Sequence, residues 1–426
     1  MTQSKPAPIA IVGGGPCGLT FARLLESVGI EYVVFERDVS PKPTSREQGG
    51  TLDIHDGTGQ EALRRAGLHD EFVKLARYDA TVMTLMDPNG EIRASFGDDR
   101  DAPEIDRLQL RQLLLDSLPS HRIRWGKTLR AVDRSETEKE SGAESWVLRF
   151  ADGTTESGFR LVVGADGAWS KLRQLITPAK PEYSGKTFIE GRVSPGNSQY
   201  ETAREMAGKG TAMTLSAKCT LCLQQMSDQS YRMYMGVVAP ETLTRPGGGA
   251  DPADMDKARA TMLGPGGFYA NWDPNTRAVI AASEGPWRPW PLYRLPMYLF
   301  EAEATKSSGE TVKYQKSWRR APGVVLLGDA AHLATPNGEG VNQAMCDSLK
   351  LFDCIMAELG KENAQGIHDR QDDAAALERA VVAYEAEMRP RAREHIKSSI
   401  DLENLMYAED GAQRMVELFS EAHGNV

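Results

Sequence analysis

Cysteine is scarce in this chain: five in 426 residues, an odd and sparse set that suits a reducing compartment. Cys219 and Cys222 form a lone C-x-x-C, but no second pair or nearby histidine completes a zinc site. They lie in the alternating stretch Met213 to Met226, which reads as a strand, and strand positions three apart point to opposite faces. Structural thiols are expected there, and no metal. Positive charge is short as well. With 50 Lys and Arg against 60 Asp and Glu the net charge is −10 and the pI near 5.4, whereas a nucleic-acid partner would need a basic face. No apolar run approaches the ~18 residues of a membrane span. The opening segment from Met1 to Pro6 lacks the apolar core of a signal peptide, so a cytoplasmic location is expected. Internal repeats, low-complexity tracts and any Ser-His-Asp or metal-ligand constellation are missing too. What remains is an ordinary globular composition, 40% hydrophobic and 26% charged, in a chain long enough for two lobes.

Glycine is concentrated where it carries information. The apolar run Ile9-Ala10-Ile11-Val12 reads as a buried strand, and Gly13-Gly14-Gly15-Pro16-Cys17-Gly18 turns it into a helix. Gly13 allows the tight turn, Gly15 lets the backbone approach a pyrophosphate, and Gly18 permits close packing of helix on strand. The free N–H groups at the helix start face the phosphates. A second run, Tyr32 to Phe35, ends on Glu36, a carboxylate placed to accept from ribose hydroxyls. Strand, glycines, helix and spaced acid together make a dinucleotide site. The motif alone leaves NAD and FAD open, and its place near the N-terminus with Glu instead of Asp leans towards FAD.

Further along, Ser40 to Asp56 is rich in Pro, Gly and charge and holds Arg46 and Gly49-Gly50-Thr51-Leu52-Asp53. Gln60 to Leu75 has helical spacing, and Thr81 to Phe96 reads as a hairpin turning at Asp87-Pro88-Asn89-Gly90. Asp106 is an N-cap for a leucine-striped helix. Short strands run from Ile123 to Phe150 around a polar insert. Residues 180–285 alternate between Pro/Gly-rich loops, the pattern of an antiparallel sheet. Asp373 to Ala422 is charged and amphipathic, with an interruption expected at Pro390 and helices covering the first lobe.

Two later motifs follow the same logic. Leu161-Val162-Val163-Gly164-Ala165-Asp166-Gly167 is a strand ending in Gly-Ala-Asp-Gly, with Ser170 near the start of the next helix. Val324 to Leu327 delivers Gly328-Asp329-Ala330-Ala331-His332, continued by Pro336-Asn337-Gly338-Glu339-Gly340-Val341-Asn342. There Asp329 can bond a sugar-alcohol hydroxyl, and glycines open a helix N-terminus towards something electron-rich.

In this order the three motifs resemble the FAD-dependent aromatic hydroxylases, the group A flavoprotein monooxygenases typified by para-hydroxybenzoate hydroxylase. Within that group the chain is similar to the tetracycline-inactivating monooxygenases, through Gly49 to Asp53, Gly59 to Ala62, Pro103 to Arg107 and Gly328 to Leu333. The resemblance implies an α/β fold: a Rossmann-like FAD-binding domain (1–78, 100–178 and 290–372), an inserted antiparallel-sheet substrate domain (79–99 and 179–289) and C-terminal helices (373–426). It places Gly13, Gly15, Gly18, Glu36 and Arg37 at the adenosine end of FAD. Arg111 and Asp329 fall along the ribityl–pyrophosphate region, and Asp53 and the N–H groups of Gly340, Val341 and Asn342 at the flavin. Asp166-Gly167, with Arg173, matches a motif linked to both FAD and NADPH, and Arg46 an arginine associated with NADPH. A polar substrate contact of the tetracycline enzymes falls near Glu190, and Met213 and Met226 are candidates to line an apolar pocket. His332 is expected to be structural.

The implied chemistry is hydroxylation of an aromatic, polyketide-like or alkaloid molecule by O₂ through a C4a-hydroperoxyflavin, with NADPH or NADH as reductant. An FAD-dependent oxidase or reductase on the same scaffold, and a non-catalytic protein that sequesters flavin or ligand, are the alternatives. A halogenase is disfavoured because Trp287-Arg288-Pro289-Trp290 is W-x-x-W and not W-x-W; both tryptophans are expected at the lobe interface. The family commonly has Pro, two residues, then Gly-x-Gly, whereas Pro336 to Gly340 is one residue shorter and lacks an aromatic. The substrate arginine of the tetracycline enzymes finds no match, so substrate and oligomeric state stay open.

Overall fold

The strand Ile9–Val12 is buried at every residue, as an apolar run with neighbours on both edges and both faces must be. It pairs in parallel with Tyr32–Phe35 and with Leu161–Gly164. Val324–Leu326 and Ile123–Arg124 complete a five-stranded parallel sheet. In this computed structural model residues 7–43, 49–97, 101–134, 146–301, 318–363 and 370–423 are described; Arg46 and most of the polar insert after Arg134 lie outside them. A small antiparallel sheet of Leu129–Arg134, Trp146–Phe150 and Thr155–Glu156 flanks the parallel one. The segment from Gln60 to Leu75 forms two helices, Gly59–Arg65 and His69–Leu75, because Gly67 takes a positive φ of 69° between them.

The second lobe is a seven-stranded sheet in the order Glu284–Arg294, Glu182–Val193, Tyr231–Val238, Cys219–Gln225, Thr211–Leu215, Met83–Met86, Ile92–Phe96. One pairing, Thr211–Leu215 with Met83–Met86, is parallel, and the rest are antiparallel. The first strand of that order continues to Arg294, past the expected boundary at 289. Alternation gives the sheet two unlike faces. Met233, Met235, Ile189, Leu221 and Trp287 pack in a closed core with Tyr269 and Trp272. Cys219 belongs to that core, while Cys222 points to the other face, paired across from Tyr234.

Two features of the C-terminal region differ from expectation. The helix Arg370–Met406 runs through Pro390 without a break. The last helix, Gly411–His423, leaves the first lobe and packs on the sheet: Met415 joins Leu85 and Leu215 in a separate cluster. Among the described residues no helix is long and apolar enough to cross a membrane.

Candidate active site

The glycine loop ends the first strand against the Asp166 loop. Gly13 has φ +114°, and a Cβ there would stand 2.1 Å from Ala165 O; a Cβ on Gly18 would stand 2.1 Å from Gly13 O. Only glycine fits at either place. At Gly15 an added Cβ meets nothing within 4 Å. That residue caps the helix Pro16–Ser27, so open space lies directly before the helix N-terminus. Glu36 is buried; Oε2 accepts from Gly14 N–H at 2.5 Å and Oε1 from Asp38 N–H at 2.9 Å. Each oxygen keeps a second lone pair for a hydroxyl. Arg111, in the helix Arg107–Asp116, donates to Gly14 O at 3.2 Å and to Asp38 Oδ2 at 2.9 Å. Gly13, Gly15, Gly18, Glu36 and Arg111 therefore converge, whereas the Arg37 side chain is exposed.

The two aspartate motifs are bolted together by Arg173. Its buried guanidinium donates to the carbonyls of Asp329 and Ala330, each at 3.2 Å, and to that of Ala168. Asp166 Oδ2 accepts from Lys171 N–H at 2.7 Å. Its Oδ1 is buried and has no hydrogen-bond partner, and desolvation pushes the carboxyl up. Asp329 keeps exposed surface; the protein packed around its carboxyl raises the pKa by desolvation, and His332, Arg107 and Arg173 act against the rise. Nearby His332 is sealed in: Nε2 lies 2.6 Å from Asp347, which also accepts from Gly328 N–H at 2.8 Å and Arg391 at 2.7 Å. Burial opposes the charge on Asp347, yet His332 and Arg391 hold its carboxyl down to about 2. His332 is thus structural.

At the other end, the helix Gly340–Asn363 begins with open space at Gly340 and a half-buried Val341. Asn342 is fully buried; its Nδ2 donates to Asp53 O at 2.9 Å, and its Oδ1 accepts from His55 N–H at 2.9 Å. His55 Nε2 is 2.8 Å from Asp53 Oδ2 and Nδ1 is 3.2 Å from Glu339 Oε1. The bonds to Asp53 and Glu339 outweigh burial and raise the imidazole to about 10. Neither His55 nor Glu339 was singled out as functional from sequence, because no motif or period links residue 55 to residue 339.

The register lines Leu85, Met213, Cys222, Tyr234, Glu190 and Arg288 in one row across the sheet. All but Leu85 and Glu190 keep partial exposure, so this face is not sealed as the other is. Glu190 accepts from Arg232 at 3.0 Å and from Trp290 Nε1 at 2.7 Å. Tyr234 donates to Gly49 O at 3.2 Å, and its ring lies 6.1 Å from that of Phe188. Burial lowers the pKa of Arg107, and the nearby charges of Tyr234 and Asp329 act against the fall. Met213 is half-buried and also touches the cluster under the last helix. Met226 lies in the hairpin turn just past the strand Cys219–Gln225, bonding Ser230 O through its N–H at 2.8 Å, outside the row that holds Glu190. The tryptophans differ from expectation: Trp287 is in the sheet lobe's own core, bonded to Ser283 Oγ at 3.0 Å, and only Trp290 reaches the site.

A family model described as an FAD binding domain matches residues 6–196 and 297–388. Over 433 residues the chain is 30% identical to the monooxygenase asqM of Emericella nidulans, covering 92% of this chain and 94% of that protein. The chain belongs to the FAD-dependent monooxygenases. Two solved structures share the monooxygenase fold. HpxO of Klebsiella pneumoniae, complexed with FAD and uric acid, has a TM-score of 0.70 at 20% identity and covers 97% of this chain and 92% of that one. The tetracycline destructase Tet(51) has a TM-score of 0.65 at 16% identity and covers 99% and 96%. FAD fits the residues present. Open space fronts two helix N-termini at Gly15 and Gly340, and Asp166 Oδ1 is a buried acceptor still lacking a donor. Two anion-stabilising helix ends and hydroxyl-accepting carboxylates between them suit a dinucleotide laid along the monooxygenase cleft.

Proposed function

We propose that the monooxygenase hydroxylates a small planar aromatic or polycyclic molecule, with NAD(P)H as reductant and O₂ as oxidant. One oxygen atom enters the substrate; the other leaves as water with the two electrons and a proton from NAD(P)H and a proton from solvent. Gly13, Gly15, Gly18 and Arg111 hold the pyrophosphate and adenosine end of FAD, with Glu36 on the ribose. Asp166 and Asp329 take the middle of the cofactor, and the N–H groups of Gly340, Val341 and Asn342 face the flavin beside Asp53. Arg37 and Arg46 belong to the same set by motif position, as cations for the phosphates of FAD or NADPH.

Bound FAD supplies the electron transfer and oxygen activation. The chain's own residues bind, orient and exclude water. The observation that carries the substrate reading is the row Met213, Cys222, Tyr234, Glu190, Arg288 with Phe188 and Trp290 beside it. Apolar and aromatic surface at one end suits a ring face, and the fixed polar groups at the other suit ring hydroxyls or amides. HpxO was solved with uric acid, a flat ring with several polar groups, which is in keeping with that chemistry. Met226 fits this pocket least.

The test is NADPH oxidation by the FAD-loaded protein across a panel of aromatic metabolites, followed by turnover under isotopically labelled O₂. A ligand that accelerates NADPH oxidation and gains one labelled oxygen is expected. Turnover without label in the product would mean an oxidase or reductase instead.

A further inference from the structure

His55 stands between two carboxylates where the strand Thr51–Asp53 meets the start of the Gly340 helix. Nε2 is 2.8 Å from Asp53 Oδ2, and Nδ1 is 3.2 Å from Glu339 Oε1. A carboxylate only accepts, and a neutral imidazole carries one N–H and one lone pair. It can satisfy one of these contacts while the other sets lone pair against lone pair. Both together require the imidazolium. The charge is held in place by the backbone on either side: His55 N–H donates to Asn342 Oδ1, and the Asn342 amide returns to Asp53 O, both at 2.9 Å. Glu339 is fixed as well. Its carbonyl accepts from Gln343 N–H at 2.9 Å, and its own N–H donates to Asn337 Oδ1 at 3.1 Å. Its carboxylate therefore sits at the mouth of the helix, where the first N–H groups carry positive partial charge.

We propose that His55 is a positioning residue for charge: its imidazolium offsets Asp53 and Glu339, so that the Gly340 helix start presents a favourable field to a flavin that gains negative charge on reduction. The proposal rests on the reading that the flavin faces Gly340, Val341 and Asn342. Reduction by NAD(P)H moves a hydride, two electrons and one proton, onto FAD and leaves the nicotinamide oxidised. Charge beside the ring is a lever on how far that equilibrium lies towards product. Glu339 immediately precedes Gly340, the first residue of that helix.

The test measures the two-electron midpoint potential of bound FAD in wild type, His55→Gln, Glu339→Gln and the double variant, with the visible spectrum reporting flavin occupancy. His55→Gln is expected to lower the reduction equilibrium constant at least tenfold, which for a two-electron couple is about 30 mV. Glu339→Gln should raise it, and the double variant should return towards wild type. A purely structural role would not produce opposite signs. A flavin-loaded single variant with the wild-type potential, or two shifts in the same direction, would overturn the proposal. If His55→Gln fails to fold, the sign of the Glu339→Gln shift decides. Wild-type protein that takes up no FAD would overturn the flavin reading itself, and this proposal with it.

Discussion

Gly15 and Gly18 are three residues apart, one capping a helix and one in its first turn, yet they answer to different demands. At Gly18 the neighbour is the chain itself, with Gly13 O 2.1 Å from any Cβ. At Gly15 there is only space. Gly18→Ala should therefore destabilise the flavin-free protein by about 2–3 kcal/mol through forced displacement of the loop. Gly15→Val should leave that stability within about 0.5 kcal/mol, since its φ of −82° and ψ of 178° suit any residue, while weakening FAD binding at least about tenfold. Urea unfolding without flavin and a flavin titration separate the two. His55 makes a prediction of a different kind. Its folded value, about 10, lies above the usual imidazole value, so the stability it contributes is complete below about pH 6.5 and is lost as pH rises through 10. The difference between wild type and His55→Gln, on the order of 2 kcal/mol near pH 6 for a half-buried group, should shrink steadily up to pH 10 in denaturant titrations. The glycines were legible in the sequence because loop, helix and strand lie within 36 residues of one another. The Asp53–His55–Glu339 contact was not, because nothing in either segment announces the other.

Elements were legible where their pattern is local and misread where one residue outweighed the pattern. Pro390 suggested a break. The buried stripe Leu377, Val381, Tyr384, Met388, Ala392, Ile396, Ser399, Glu403 keeps its three- and four-residue steps straight across it. Packing of that stripe outweighs one missing backbone bond, and Tyr384 adds a hydrogen bond to Leu326 O at 3.2 Å. The stripe ends on a carboxylate with three donors: Lys186 Nζ at 2.6 Å, Arg294 at 2.8 Å and Thr335 Oγ1 at 2.9 Å. These come from two strands of the sheet and the loop after Gly328-Asp329. Glu403→Ala strands two partly buried cations, so a loss of roughly 3 kcal/mol is expected from chemical denaturation. Glu403→Gln, which can still accept from Thr335 or one cation, should lose less.

At the scale of the whole molecule, the two lobes meet along a seam that spacing within either lobe could not reveal. Asp106 begins a helix of the first lobe and also accepts from Ser227 of the sheet hairpin, through N–H at 3.1 Å and Oγ at 2.5 Å. Arg77 spans the same seam, donating to Asp106 at 2.6 Å and to Gln225 O at 3.1 Å. The first lobe is built from motifs whose residues are close in sequence, so the convergence of Gly13, Gly18, Glu36 and Arg111 at the glycine loop could be read from them. The sheet lobe is assembled from strands far apart in sequence, so its row of facing side chains emerged only with the register. That row has a consequence for how such a protein changes over time. Tyr234 lies on the partly exposed face while its neighbours Met233 and Met235 face a sealed interior, so odd and even positions of one strand answer to separate selection. If that row lines the substrate site, as proposed, mutations on its face alter which molecule is accepted while the interior goes on holding the sheet together. On the proposed reading a change of diet is open first at a position such as Cys222, whereas Glu190, tied to Arg232 and Trp290, would leave partners unpaired if replaced.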